Sequence, residues 1–456
     1  MNLEGKHVLI LGLGESGIAC ARWCDRQGAR LRVADTRTNP PGLEALQCRV
    51  ASAEFRAGEF DKSLLEGIDL VVLSPGLSPG MLVAIHARAQ GIPVVGEIEL
   101  FAQALRDLRQ NVPVLAITGT NGKTTTTALV GHLIAASGRT VGIAGNISPA
   151  ALDALMDFQD QGALPQAWVL ELSSFQLETT ETLDATAATV LNVSDDHLDR
   201  YIDLDDYASA KARIFRGTGT QVLNRDDPRV KRMAIPGRRL ITFGLDAPAD
   251  ADDFGLRENR GEPWLVQGDR FLLPVSDLAI AGLHNAANAQ AALALCAAIG
   301  LDPVKLLPAL RSFKGLPHRV EKVATIGGVT FFDDSKGTNV GATIAALQGL
   351  GAKSVVILGG DGKGQDFTPL KTAIARHARA VVLIGRDAPL IERAIAGCGV
   401  PVINATDMAA AVRTAARLAQ AGDAVLLSPA CASFDMFKNY AHRAEVFRAA
   451  VRELMR

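Results

Sequence analysis

Several features are missing from this chain of 456 residues, and each absence narrows what it does. No uninterrupted apolar stretch approaches the ~18 residues needed to cross a bilayer, so no membrane span is expected. A strand-like pattern begins within a few residues of the N-terminus and leaves no room for a cleaved leader, which predicts a cytoplasmic location. The six cysteines (Cys20, Cys24, Cys48, Cys296, Cys398, Cys431) contain no CxxC spacing, which argues for reduced thiols over structural zinc or a disulfide framework. Cys20 and Cys24, one helical turn apart, read as packing residues. There is no basic excess either: a net charge of -2 offers a polyanion little to hold, so nucleic acid is not an expected partner. Tandem repeats and low-complexity tracts are absent as well.

Hydrophobic residues make up 48% of the chain, enough for a large buried core, and the length suits about three domains of ~150 residues. Short apolar runs ending in glycine alternate with helical patterns from end to end, which predicts α/β layers on parallel sheets. Three units are expected. The first spans 1–110, up to a polar stretch and proline at 109–113. The second spans 111–314, and the third, 315–456, follows a hinge at Lys314-Gly315-Leu316-Pro317. Strands of the third unit are predicted at 329–332, 354–358, 380–384 and 424–427, and the acidic stretch 246–253 reads as a surface loop.

The most specific local signal lies at 112–127, where an apolar run breaks into Gly119-Thr120-Asn121-Gly122-Lys123-Thr124-Thr125 and continues as a helix. Backbone amides freed by Gly119 and Gly122 suit phosphate oxygens at a helix N-terminus, Lys123 suits the β/γ-phosphates and Thr124 a magnesium ion. The loop is a shortened relative of the common P-loop, because Ile117 stands where a glycine is usual. A second glycine loop, Gly12, Gly14 and Gly17, follows a predicted strand and is succeeded by Asp35 at the end of the next one, as in dinucleotide sites. The same geometry serves any nucleotide diphosphate. Glu15 then has to point outward, and Ser74-Pro75-Gly76 ends a further strand at the same crevice.

In the second unit, Glu171 closes an otherwise hydrophobic strand, and an acid there needs a compensating cation. Beside a phosphate loop that cation is magnesium; the alternative is a carboxylate held by backbone donors. The run Asn192 to Asp199 packs oxygen ligands around His197, which reads either as a metal or phosphate contact or as a structural ring. Lys211 lies on the apolar stripe Leu204, Tyr207, Ala208, Lys211, Phe215 of a helix predicted over 204–215. A lysine there either snorkels or is buried, and burial demands a partner or a lowered pKa. Three polar loops of the third unit, 333–339, 359–363 and 428–434, end predicted strands on one sheet edge, where Lys336 and Lys363 suit a dicarboxylate.

Gly-Thr-Asn-Gly-Lys-Thr (119–124), Glu-Leu-Ser-Ser-Phe-Gln-Leu-Glu (171–178), Asp-His-Leu-Asp-Arg-Tyr (196–201), His-Asn-Ala-Ala-Asn-Ala (284–289) and Leu-Pro-His-Arg (316–319) together resemble the Mur ligases over essentially the whole chain. Asp-Asp-Ser-Lys-Gly-Thr-Asn (333–339) and Ser-Pro-Ala-Cys-Ala-Ser-Phe-Asp (428–435) are most similar to the members that add D-glutamate to UDP-N-acetylmuramoyl-L-alanine. The resemblance implies an N-terminal Rossmann-like domain for the UDP-sugar, a central P-loop ATPase and a C-terminal Rossmann-like domain that brings the amino acid. It also implies a monomer in peptidoglycan precursor synthesis, on which cell shape and division depend.

By the same resemblance, Gly14, Ser16, Asp35, Thr36, Arg37, Ser74 and Gly76 hold the UDP moiety, with Asn146 and His197 nearer the sugar. The phosphate loop, Asn285, Asn288, Arg319 and Asp334 bind ATP. Thr124 and Glu171 take one magnesium ion, and His197 and Lys211 a second, with Lys211 as a carbamate formed with CO2. Lys123 joins Glu171, His197 and Lys211 in catalysis. Thr338, Lys363, Ser433, Phe434 and Tyr440 hold the amino acid, although Tyr440 stands where the family often has phenylalanine and Gly337 where it often has alanine. Three other readings compete: an NAD-dependent oxidoreductase, which leaves the second nucleotide loop unexplained; a nucleotide switch, which has no use for Glu171, His197 and Lys211; and a folate polyglutamate ligase, which lacks the first glycine loop.

Overall fold

The computed structural model of the chain describes residues 2–109, 111–196, 200–280 and 282–455. Among them the predicted alternation resolves into three sheets. The first, in the order Glu54–Ala57, Arg30–Asp35, His7–Leu11, Leu70–Leu73, Val94–Val95, is parallel throughout. Its strands His7–Leu11, from residue 8 on, and Leu70–Leu73 are buried and apolar on both faces because helices cover both, and the glycine loop at 12–17 leaves the carboxyl end of the central strand.

The second sheet runs Arg270–Pro274, Glu262–Gln267, Phe254–Asn259, Leu240–Phe243, Thr220–Asn224, Ala187–Val190, Val114–Thr118, Ala167–Glu171, Val141–Gly145. Here the expectation of parallel sheets needs a correction, since residues 254–274 form an antiparallel meander. Connections of two residues cannot carry a parallel crossover. Arg260 and Gly261, at φ 55° and 81°, supply the left-handed pair that a tight hairpin requires. The third sheet, in the order Glu321–Ile326, Val329–Asp333, Ala424–Leu427, Ser354–Gly359, Ala378–Ile384, Val402–Asn404, is parallel except for its first pair. The polar loops after Asp333, Gly359 and Leu427 therefore leave three adjacent strands on one edge, as their sequence positions predict.

The helix Glu97–Asp107 fastens the first sheet to the second. Phe101 packs edge-on against the buried Trp168 ring at 5.0 Å, and Phe158 approaches Trp168 at 5.5 Å. Two buried carboxylates of this helix meet unpaired amides of the central unit. Glu97 accepts from the Leu152 amide (2.9 Å) in the first turn of the helix Ala151–Asp160, and Glu99 accepts from the amides of Glu181 (2.7 Å) and Thr182 (2.8 Å). Cys20 and Cys24 are both buried and unpaired with each other, in keeping with a packing role.

Burial pushes the Glu97 carboxyl from 4.5 up to about 7. The folded chain then holds this proton more tightly than the unfolded chain, so stability from this group is present below pH 4.5 and is lost as pH rises toward 7. Glu97→Gln keeps an acceptor for the Leu152 amide and removes the titration. Thermal melts at pH 5 and pH 8 are expected to show wild type losing more stability than the variant between the two, by up to roughly 3 kcal/mol; equal losses would refute this assignment.

Candidate functional site

The phosphate loop begins where the strand Val114–Thr118 ends and closes at Gly122, whose left-handed backbone (φ 83°) starts the helix Lys123–Ala136. Asn192 braces the loop from the neighbouring strand end: its carbonyl accepts from the Thr120 amide (2.9 Å) and its side chain from the Asn121 amide (2.8 Å). Lys123 folds back over the loop and donates to the carbonyls of Gly119 and Thr120, both at 2.8 Å. Lys211 reaches the same place, donating to the Gly119 carbonyl at 3.0 Å with its ammonium 4.3 Å from the Tyr207 ring centre.

Lys211 is 1% exposed, so it is buried and does not snorkel. Its helix spans Leu204–Ala212 and gives way to a tighter turn at Arg213–Phe215, slightly short of the predicted end. Desolvation first, and the neighbouring Lys123 second, hold the Lys211 pKa well below that of an ordinary lysine. Lys123 is lowered too, chiefly by burial, with Glu171 opposing the shift.

Glu171 ends its strand as expected and is 2% exposed. One oxygen accepts from the Asn146 side chain (2.6 Å), while the other is buried with no partner among the described residues. Backbone donors therefore do not satisfy this acid, and its orphaned oxygen suits a hard cation. Thr124 offers a hydroxyl oxygen in the same loop, so the donor set fits magnesium. His197 lies outside the described residues.

Asn146 also connects Glu171 to a second cavity of about 450 Å³ between the first and second sheets. Gly14, Ser16, Asp35, Thr36, Arg37, Ser74 and Gly76 all line it, together with Asn146. Asp35 is held in place by the Leu13 amide (2.8 Å) and by Arg37 through two side-chain bonds at 2.8 Å, and the Arg37 guanidinium keeps its carboxyl far below the usual range. Glu15, expected to point outward, lines the same cavity and accepts a hydrogen bond from the Ser148 hydroxyl at 2.9 Å.

A cavity of about 410 Å³ lies between the second and third sheets, at the helical side of the phosphate loop. Asn121, Gly122, Thr125, Asn285, Asn288, Arg319 and Asp334 line it. Arg319 crosses from the third unit to donate to the Thr124 hydroxyl at 2.8 Å. Its segment is set by an ion-pair network: His318 bonds Asp333 (2.8 Å), and Arg448 bonds Asp333 (3.0 Å) and pairs with Glu321. His318, Glu321 and Asp333 lie close enough to ligate a metal, yet Arg448 already occupies both carboxylates. Burial raises Asp334 from 3.8 to about 7 despite the nearby Arg319.

Sequence reasoning missed several residues here. His284, Asn224, Asp226 and the small-residue wall Gly341, Ala342, Ala345, Ala346 also line this cavity. Asn224 and Asp226 carried one usable signal, their position just past a strand's carboxyl end. Lys336, expected beside the amino acid, lines this cavity instead and sits 4.9 Å from the Tyr440 ring centre.

The remaining loops meet at the edge of the third sheet. Asp361 and Ala432 bridge two of them, and the buried Arg443 staples a third by donating to the Ser335 hydroxyl (3.0 Å), the Ser335 carbonyl (2.7 Å) and the Cys431 carbonyl (3.1 Å). Around this frame Ser433 is buried, Thr338 half-buried, Lys363 exposed and Phe434 73% exposed, so the rim is open; Tyr440 begins the final helix.

Comparison with known proteins matches this architecture unit by unit. Residues 6–96 match the Mur ligase MurD-like N-terminal domain, 117–296 the Mur ligase middle domain and 318–431 the Mur ligase glutamate ligase domain. This chain belongs to the Mur ligase family. Among the relatives of this Mur ligase, a UDP-N-acetylmuramoylalanine--D-glutamate ligase of Aromatoleum aromaticum is 62% identical, covering 99% of this chain and 98% of the relative. A protein of the same name from Nitrosospira multiformis is 56% identical over 100% of this chain and 97% of its own. A solved pseudomurein peptide ligase type C from Methanothermus fervidus shares the fold, with a TM-score of 0.60 at 18% identity over 99% of this chain and 100% of that one. Among the described residues, no helix of this Mur ligase is long and apolar enough to cross a membrane.

A methyl group on Gly122 would lie 2.5 Å from the Asn288 side-chain oxygen, on a backbone that L-residues rarely adopt. Gly122→Ala is therefore expected to cost roughly 1–2 kcal/mol in stability and to weaken ATP binding at least tenfold, on the order of 1.4 kcal/mol. Melting curves and titration calorimetry check both; unchanged ATP affinity would show that the loop does not touch the phosphates.

Proposed function

We propose that this Mur ligase uses ATP to join D-glutamate to UDP-N-acetylmuramoyl-L-alanine in cytoplasmic peptidoglycan precursor synthesis. The observation that carries the reading is the Asn146–Glu171 contact at 2.6 Å, which puts the end of the cavity lined by the first glycine loop beside the phosphate loop. An acceptor held by its nucleotide in the cavity between the first and second sheets thus delivers its far end, a carboxylate, to the γ-phosphate. The names of relatives at 56–62% identity over nearly the whole chain support the same acceptor and amino acid.

The first domain, about 1–110, holds the UDP-sugar, the second, 111–314, the ATP, and the third, 315–456, the amino acid. Lys123 releases the carbonyls of Gly119 and Thr120 and turns to the γ-phosphate, where its charge stabilises the transition state. The acceptor carboxylate attacks phosphorus, ADP leaves, and an acyl phosphate forms. The amine of D-glutamate, held at Thr338, Lys363, Ser433, Phe434 and Tyr440, then attacks the acyl carbon. Collapse of the tetrahedral intermediate expels phosphate, and the amine's surplus proton passes to solvent. Arg319 and Asp334 position the nucleotide from the third domain, so chemistry waits for that domain to close and exclude water.

Thr124 and Glu171 would hold one magnesium ion, and His197 with a carbamylated Lys211 a second; the ions would supply charge neutralisation on the phosphates. The lowered pKa of Lys211 supports this modification, because only the neutral amine adds CO2, releasing a proton to give the carbamate.

Phosphate release with ATP, magnesium and UDP-N-acetylmuramoyl-L-alanine, compared with D-glutamate, L-glutamate and no amino acid, tests the reading. Turnover is expected with D-glutamate, and rates indifferent to it would sink the proposal. Lys211→Ala is expected to lose at least 100-fold in rate, on the order of 2.7 kcal/mol, and to regain part of it with added short carboxylates. Full unsupplemented activity in that variant would remove Lys211 from the mechanism.

A further inference from the structure

The nucleotide cavity is closed on one side by the helix Val340–Gly349 of the third unit, about 15 Å long at its ten residues. It turns Gly341, Ala342, Ala345 and Ala346 toward the cavity. One end is pinned to the phosphate loop, where Asn339 caps the helix through the Ala342 amide (2.8 Å) and donates to Asn121 (3.2 Å) and Asp196 (3.3 Å). The other end meets His284, in the first turn of the central helix Leu283–Ala298.

The fit at His284 is unusually close. A β-carbon on Gly282 would lie 2.7 Å from the ring's Cε1 and 2.9 Å from Nδ1, and one on Gly349 would lie 2.9 Å from both. The imidazole thus sits in a clasp between two glycines, one from each unit, with a hydrogen bond to the Ala345 carbonyl. Its Nδ1 is buried without a partner among the described residues. Burial lowers the ring's pKa from 6.5 to about 4, so it enters the clasp uncharged.

We propose that His284 is a positioning residue, the latch that holds the helix Val340–Gly349 over the nucleotide and so sets the population of the closed, ATP-binding form. The proposal rests on the reading of this cavity as the ATP site. A protein that binds nucleotide only when latched has an apparent affinity reduced by the fraction unlatched. The latch then acts on nucleotide affinity more than on the chemical step.

Gly349 has no left-handed backbone, so Gly349→Ala adds a methyl group against the ring without straining its own φ. It is tested beside His284→Ala and the double variant, by calorimetric titration with the non-hydrolysable analogue ADPNP and magnesium, by kinetics, and by small-angle scattering of the nucleotide complex. Each single change is expected to weaken ADPNP binding and raise KM for ATP about tenfold, with a smaller fall in kcat and a larger radius of gyration. The double variant is expected to fall well short of the sum of the two single losses, because with the ring gone the methyl group keeps only its 3.1 Å approach to the Gly282 Cα. Wild-type ADPNP affinity in folded Gly349→Ala, or losses that add in the double variant, would overturn the latch. ADPNP binding needs neither acceptor nor amino acid, so failure of the D-glutamate assignment would leave this result readable.

Discussion

Two lysines converge on one carbonyl oxygen. Lys123 and Lys211 both donate to the Gly119 carbonyl, Lys211 from a fully buried position and Lys123 from a partly buried one. Two ammonium groups sharing one acceptor repel each other, so the arrangement favours loss of a proton from one of them or the arrival of an anion between them. Both escapes suit a triphosphate site. Burial holds Lys211 well below an ordinary lysine and lowers Lys123 as well, and one oxygen of the buried Glu171 nearby has no partner among the described residues.

The rest of the molecule holds that imbalance in register. The first unit is bound to the second by buried carboxylates on helix and loop amides and by the aromatic stack on Trp168, contacts that are costly to break once desolvated. The third unit reaches over by polar side chains at single points: Arg319 to Thr124, Asn339 to Asn121, and the His284 clasp. A rigid seam on one side and a few point contacts on the other suit a site whose acceptor lies in a fixed groove while the third reactant is carried in.

Legibility in the sequence followed the range of the interaction. The phosphate loop, the acid at a strand end and the lysine on an apolar stripe are local patterns, and the structure places Gly119 to Thr125, Glu171 and Lys211 together. The eight described residues assigned to the UDP-sugar converge for the same reason, since strand ends of a parallel sheet share an edge. The meander at 254–274 was hidden because its short strands alternate much as parallel ones do. Arg443 left no trace in the sequence, and His284, though it heads the motif 284–289, carried no sign of its place between two glycines. A buried arginine that staples two loops through their carbonyls, and a ring that fits between glycines 67 positions apart in the chain, exist only after distant segments have met.

The arginine that crosses from one sheet to the phosphate loop of another also bears on how such proteins are recombined. Thr124 takes a hydrogen bond from Arg319, and the segment carrying Arg319 is tied through His318 and Asp333 to Arg448. A chimaera joined at the hinge near Pro317 inherits its phosphate loop from one parent and the guanidinium that completes it from the other. Exchange of the last segment therefore also exchanges part of the cavity wall at the phosphate loop, and the two travel as one heritable block.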